Sequence, residues 1–438
     1  MANSYMKRAG IPERFPAVDG DLILSSAIDA GIGLFTINIE MVFRHTLDRN
    51  RLVQALYLIF DAQPILGCRM VIKDRDIFWA RLNKKEWGSL YLLQNNQEYE
   101  KFKTVSIDSR SGPQIMVGLY TTPEGDTLII KASHQVGDGG GLHDITRELS
   151  CIYNRLKHEP HYQPEPNITG ARSGRQIMHQ IPWTALPVIV ANFIKLSWNN
   201  SHPKATHILP LAAWQQASWM YKLRHIPPER TARIVAYGKK NQATLNDVLI
   251  SSYLRALAQM GGWDGTSALR LQLTVDLRAW YLQTKRAGGI CNLSGFEYAN
   301  LGTDPGKDFN STLSRVTAMI KERKASYFGL SETCLAPLVT LIPYPWLVKL
   351  VDNGARKKAM QKNVPHLLTN TGRIPPEIVS FDQPPFAAWL LPPVLFPPCF
   401  VSLVSSYGET ISLSVGVSRD SYALVDVFLD KMISELPG

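Results

Sequence analysis

Cysteine is scarce and unpaired in this chain. Its five cysteines, Cys68, Cys151, Cys291, Cys334 and Cys399, are scattered, odd in number and never in a Cys-x-x-Cys pair. That spacing excludes a disulfide framework and a zinc site, and it predicts a reducing, cytoplasmic setting. Charge is sparse as well. Charged residues make up 19% of the chain against 45% hydrophobic, which excludes disorder and suits a sizeable core. Residues 1–8 contain no apolar core, so no signal peptide is expected. Long uninterrupted apolar runs are missing. The nearest are 183–198, 335–351 and 386–404, each short or broken by prolines such as Pro343, Pro345, Pro392 and Pro393. They read as core or as the wall of an apolar channel. Contact with a membrane surface, without spanning, is the alternative. The glycine run 137–141 lacks the Lys-Ser/Thr of a phosphate-binding loop and the spacing of a dinucleotide fingerprint. No metal site, RNP, zinc-finger or helix-turn-helix signature is visible.

What is present is a 438-residue chain with a formal net charge of +10, long enough for one large domain or two ordinary ones. The basic balance favours anionic partners, phosphorylated cofactors or acidic proteins rather than nucleic acid. Lys222, Arg224, Arg230, Arg233, Lys239 and Lys240 cluster in one stretch. Asp48 is an N-cap for a helix carrying Leu52, Leu56, Ile59 and Phe60. Strands are expected over 114–120 and 127–133, joined by the turn at Pro123-Glu124-Gly125-Asp126. A helix with Leu142, Ile145, Leu149 and Ile152 on one face follows.

Residues 159–210 are rich in Pro, Asn, Ser and His, and separate two lobes. The first lobe is placed at 1–175, a crossover at 176–210 and the second lobe at 211–438. The second opens with a helix up to Lys222, then one capped by Thr244 and Asp247 and stopped at Gly261-Gly262. Leu269, Leu271, Leu273 and Val275 alternate as a strand that ends in Asp276-Leu277-Arg278. A polar helix over 309–326, a hairpin around Gly408-Glu409 and a closing helix over 422–436 complete the outline. Helices and strands are mixed without regular alternation, which excludes a doubly wound sheet.

The chemistry is concentrated in His134-Gln-Val-Gly-Asp138-Gly139. A histidine at a strand end, against a glycine-rich turn, is held where backbone can approach a ligand closely. Neutral imidazole is matched to taking a proton from a hydroxyl, amine or thiol near neutral pH. Asp138 can shape the loop but needs a cation if buried, and Arg278 is the candidate. From the pattern alone, a structural histidine and a turn-forming aspartate remain the bland alternatives.

The segment resembles the active-site motif of the chloramphenicol-acetyltransferase-like superfamily. That superfamily includes peptide-synthetase condensation domains, alcohol acetyltransferases, wax-ester synthases and mycobacterial polyketide-associated acyltransferases. Ser133 stands where the fuller motif has a first histidine. Leu52-Val-Gln-Ala-Leu56 with Gln63-Pro64-Ile-Leu66, and Thr244-Leu-Asn246-Asp247-Val-Leu, are similar to two of the family's helix segments. The last resembles the alcohol acetyltransferase and wax-ester synthase branches. Val275-Asp276-Leu277-Arg278 resembles the strand whose arginine pairs with the motif aspartate, and Gly288-Gly-Ile-Cys-Asn292-Leu-Ser294-Gly295 stands where a Gly-x-Phe-x-Asn segment is usual. Leu368-Thr-Asn370-Thr-Gly372 and Ser405-Ser-Tyr407-Gly408 resemble two late segments. The plant-type signature Asp-Phe-Gly-Trp-Gly is absent.

The resemblance implies an α/β (α+β) fold of two chloramphenicol-acetyltransferase-like lobes, each a mixed sheet with flanking helices, and an active-site tunnel between them. It implies acyl transfer from a coenzyme A or acyl-carrier-protein thioester, as co-substrate rather than bound cofactor, to a small alcohol or amine. His134 would be the general base. Asp138, Gly139 and Arg278 would support it, and Asn292, Ser294, Asn370 and Tyr407 would contact the oxyanion or substrate. A monomer is expected, because one chain holds a whole tunnel. The rival readings are a free-standing condensation-type enzyme using carrier-bound acyl groups, and a non-catalytic module that binds acyl chains or carrier proteins.

Overall fold

The computed structural model describes residues 10–73, 76–201, 205–213, 219–331 and 333–438. Two large mixed sheets organise the chain. The first has five strands in the order Ala387–Leu391, Thr36–Val42, Gly125–Ser133, Ile115–Thr122 and Tyr91–Leu93. The second has six, in the order Ser294–Gly302, Leu269–Asp276, His366–Arg373, Val401–Tyr407, Thr410–Ser418 and Trp219–Ile226. Each sheet is covered by helices and has its own core. Ile39, Ile130, Leu142, Leu149 and Phe60 pack in the first core, and Val248, Leu254, Leu271, Leu413 and Phe428 in the second.

The elements with local signals form as their residues dictate. Asp48 accepts from the Arg51 N–H at the start of Arg49–Ala62. Ile115–Thr122 and Gly125–Ser133 close as a hairpin, with Thr122 opposite Gly125. Thr244 and Asp247 make a reciprocal capping box at the start of Leu245–Ala258, and Gly261 and Gly262 beyond it take positive φ values of 64° and 67°. Phe309–Lys324, the hairpin Val401–Tyr407/Thr410–Ser418 and Tyr422–Glu435 also form.

Two expectations are corrected. The second lobe was expected to open with a helix up to Lys222, of which 214–218 lie outside the described residues. Trp219–Ile226 is instead an edge strand, antiparallel to Thr410–Ser418. Its run Trp-Met-Tyr-Lys-Leu-Arg-His-Ile is rich in aromatic and branched residues that suit a pleated surface, and the open edge of the second sheet supplies the partner. The chain is also not divided once. Residues 387–391, expected within a second lobe of 211–438, pair antiparallel with Thr36–Val42 in the first sheet, Trp389 opposite Glu40. The next strand, Val394–Leu395, pairs with Gly33–Leu34. The second lobe thus lends a strand that closes the first sheet, and the seam between the lobes runs beside the motif.

Candidate functional site

His134 follows the last residue of the central strand Gly125–Ser133, and its backbone N–H donates to the Phe35 carbonyl at 2.8 Å. The ring is held from the opposite lobe. Asn292 donates its amide N–H groups to the His134 and Gln135 carbonyls at 2.9 and 3.1 Å. That orientation leaves Asn292 Oδ1 facing His134 Nδ1 at 3.1 Å. An amide oxygen can only accept, so Nδ1 carries a proton, and in the neutral ring Nε2 is the nitrogen that keeps its lone pair. One asparagine therefore sets both the position and the tautomer of the imidazole.

Asp138 is the N-cap of Gly139–Leu156, accepting from the Gly141 N–H at 2.9 Å. Its other oxygen accepts from Arg278 Nη1 at 2.9 Å, the Leu293 N–H at 2.7 Å and Ser294 Oγ at 3.0 Å. Burial alone would raise this carboxyl, but the Arg278 guanidinium and the Gly141 and Leu293 N–H groups outweigh it and hold it at about 2. Arg278 also donates to the Cys291 carbonyl at 2.7 Å and to Asp276 at 3.2 Å. A buried carboxylate is tolerated here because a charge and three further donors meet it. The ion pair fastens the motif loop of one lobe to the strand end of the other.

The glycine run is explained by close approach. A Cβ on Gly139 would lie 3.0 Å from Thr371 Cγ2, and one on Gly140 would lie 2.9 Å from Arg278 Nη1. Gly140 is therefore the floor on which the guanidinium rests.

Between the lobes lies a cavity of about 630 Å³. His134, Asp138, Gly139, Asn292 and Ser294 line it, with Phe35, Thr274, Phe296, Leu367 and Pro393 among the walls. Arg278 sits behind Asp138. Asn370 and Tyr407 do not line the cavity. Asn370 accepts from the Gly372 N–H at 2.9 Å and reaches Asn246 at 3.3 Å, while the Tyr407 hydroxyl donates to the Pro385 carbonyl at 2.9 Å. Asn292 and Ser294 line the wall, but their polar groups are committed to His134, Gln135 and Asp138. Of the four residues expected to contact oxyanion or substrate, Asn292 and Ser294 are thus at the cavity and Asn370 and Tyr407 are not. Ser133, in the place of the motif's first histidine, is buried and bonded to Gln135 Oε1 at 3.2 Å.

Sequence reasoning missed Asp21 and Arg172. Arg172 makes a two-pronged pair with Asp21 at 2.7 and 3.0 Å and donates to the Ile290 carbonyl at 2.7 Å. Asp21 also accepts from Trp79 Nε1 at 2.7 Å. This second pair steadies the loop that carries Asn292. Neither residue sits in a periodic pattern or a motif, so only the long-range pairing reveals it.

No family profile and no curated protein matches the chain by sequence. Solved structures do match in shape. TRI3 trichothecene 15-O-acetyltransferase from Fusarium sporotrichioides superposes with a TM-score of 0.70 at 11% identity, covering 97% of this chain and 94% of that one. The first condensation domain of the CDA synthetase gives 0.69 at 12%, covering 98% and 97%. Polyketide synthase associated protein 5 from Mycobacterium tuberculosis gives 0.64 at 12%, covering 96% and 98%. The chain has the two-lobed fold of condensation domains and chloramphenicol-acetyltransferase-like proteins. At such low identity the likeness is one of fold.

Proposed function

We propose that this chain is an acyltransferase that moves an acyl group from a thioester to an alcohol or amine, with His134 as general base. The observation that carries the reading is the Asn292–His134 pair on the cavity wall. It holds a proton on Nδ1, so that Nε2 is the nitrogen of the neutral ring able to accept one, in a space that both lobes line. The acceptor O–H or N–H gives its proton to Nε2 as it attacks the thioester carbonyl. The collapsing intermediate expels the thiolate, which takes that proton back from the imidazolium. Holding both substrates in one cavity converts a bimolecular step into an effectively unimolecular one, so no acyl-enzyme is needed.

Asp138 and Arg278 keep the loop in place and touch no substrate. The N–H of Gly139, in the first turn of Gly139–Leu156, has no intrahelical partner to bond and lies at the cavity wall. It is the group we assign to the developing oxyanion, a contact worth about 3 kcal/mol where it has been removed in other enzymes. The donor is a coenzyme A or carrier-protein thioester. Lys358 on the cavity wall and the basic excess of the chain suit the phosphates of either.

The test is thiol release from acetyl- and longer acyl-coenzyme A, and from carrier-bound acyl groups, with a panel of alcohols and amines. Acceptor-dependent release that collapses in His134→Ala supports the reading. Release unchanged in that variant removes His134 from catalysis, and silence with every donor leaves a binding module.

A further inference from the structure

Three segments border the inter-lobe cavity and also carry large apolar side chains into solvent. Leu186–Ser201 sends Phe193 to the cavity wall, buries Ile189, and exposes Leu186, Val190 and Ile194 at four-residue spacing. Trp183, just before it, is 81% exposed. The 3-10 helix Ala336–Leu341 turns Ala336 and Val339 to the cavity. Side chains three apart eclipse on such a helix, so Leu338 and Leu341 form one outward ridge, 53% and 75% exposed, while Leu335 stands on the cavity wall. Tyr344–Met360 buries Tyr344 and Leu347 against Leu22 but exposes Trp346 and Leu350, 66% and 63%. Exposed apolar side chains concentrated on three segments that each reach the cavity wall mark an interaction surface, because such residues are otherwise scattered singly on a monomer.

The charge on the same segments is one-sided. Lys195, Lys349, Arg356, Lys357 and Lys358 stand there against the single carboxylate Asp352, which is bonded to Arg356 at 2.8 Å. Tryptophan and leucine beside lysine and arginine are the combination that sits at the boundary between lipid headgroups and acyl chains. Among the described residues no helix is long and apolar enough to cross a membrane, so the arrangement is one of lying on a surface.

We infer that the cavity mouth formed by 183–195, 335–341 and 344–360 docks on an anionic lipid bilayer, opening the cavity toward the membrane. Trp183, Trp346 and the leucine ridge enter the interface, while Lys349 and Lys357 meet the headgroups. An apolar substrate then passes from bilayer to cavity without crossing water. The inference concerns binding and does not depend on His134 acting as a base.

Vesicle flotation tests it, using phosphatidylcholine vesicles with and without phosphatidylglycerol. The native protein and His134→Ala should float equally with the mixed vesicles, which separates this inference from the catalytic one. Combined Leu341→Ser, Trp346→Ala and Leu350→Ser, all at solvent-exposed positions, should abolish flotation while leaving the thermal transition in place. Lys349→Glu or Lys357→Glu should each weaken binding to the mixed vesicles about fivefold. Absence of flotation with both vesicle types overturns the inference, as does flotation that the apolar variant retains. Concentration-dependent self-association that the same variant abolishes, without vesicle binding, assigns the surface to a second copy instead and equally overturns it.

Discussion

The motif loop and the cavity mouth are opposites in how their side chains are used. Around 133–141 Asp138, Ser133 and Nδ1 of the His134 ring have partners, and those of His134 and Asp138 come largely from the other lobe, which leaves only Nε2 of the ring open. Around 183–195 and 335–360 large apolar groups meet solvent, and the helices pack by one face only. A proton-transfer group must be held within a fraction of an ångström, which requires neighbours with no alternative arrangement. A mouth that admits ligand cannot be satisfied by the protein itself, since its partner arrives from outside. The comparison predicts where substitutions will be costly.

Catalysis should break first. His134→Ala should lower kcat by about 10²–10⁴-fold, the range for removal of a general base, with the thermal transition nearly unchanged, measured by thiol release and calorimetry. The buried pair comes next. Arg278→Met leaves Asp138 uncompensated and should cost about 3–5 kcal/mol in denaturant unfolding. Adding Asp138→Leu should recover part of that loss, and a double variant as unstable as the single one would mean that the ion pair is not the source.

Smaller effects sharpen the contrast. Asn292→Ala frees Nδ1, so kcat should fall about tenfold or more with KM little changed, and the acidic limb of the pH–rate profile should move. A proportional loss with an unmoved profile would indicate a merely structural role. The pH dependence of stability has a definite sign. The Asp138 carboxyl lies below its ordinary 3.8, at about 2, so its contribution is fully present above about pH 4 and disappears as pH falls through 2. Asp138→Asn should flatten that part of the acid-unfolding curve. At the mouth, Trp183→Ala or Ile194→Ser should change stability by no more than about 0.5 kcal/mol, as exposed substitutions do.

The motif residues were legible because their signals are local. A strand closes on His134 and a glycine-rich turn follows it, so their placement needs only a few residues of context, whereas the start of Gly139–Leu156 directly after Asp138, inside what reads as a loop, appeared only in the structure. Arg278 was legible through the charge that a buried aspartate demands. Asn292 was visible as a residue near the site but not in its role, since its partners His134 and Gln135 lie more than a hundred positions away. Asn370 and Tyr407, picked from short segments resembling other proteins, lie off the cavity because a segment's order along the chain says little about which way each side chain points.

Composition and local pattern determined by themselves that the chain would be a mixed α/β protein, with a histidine at a strand end, an aspartate in the glycine-rich turn after it and an arginine as that aspartate's partner. These follow from propensity, capping and the cost of burying a lone charge, which act within a few residues or through a single pairing. Only the tertiary structure decided that Ala387–Leu391 closes the first sheet, that Trp219–Ile226 is a strand, that Asn292 meets the histidine at Nδ1, and that apolar side chains of 183–194, 338–341 and 346–350 meet solvent. Each depends on which distant segments meet, and strand pairing and side-chain direction are settled by those contacts rather than by neighbours in sequence.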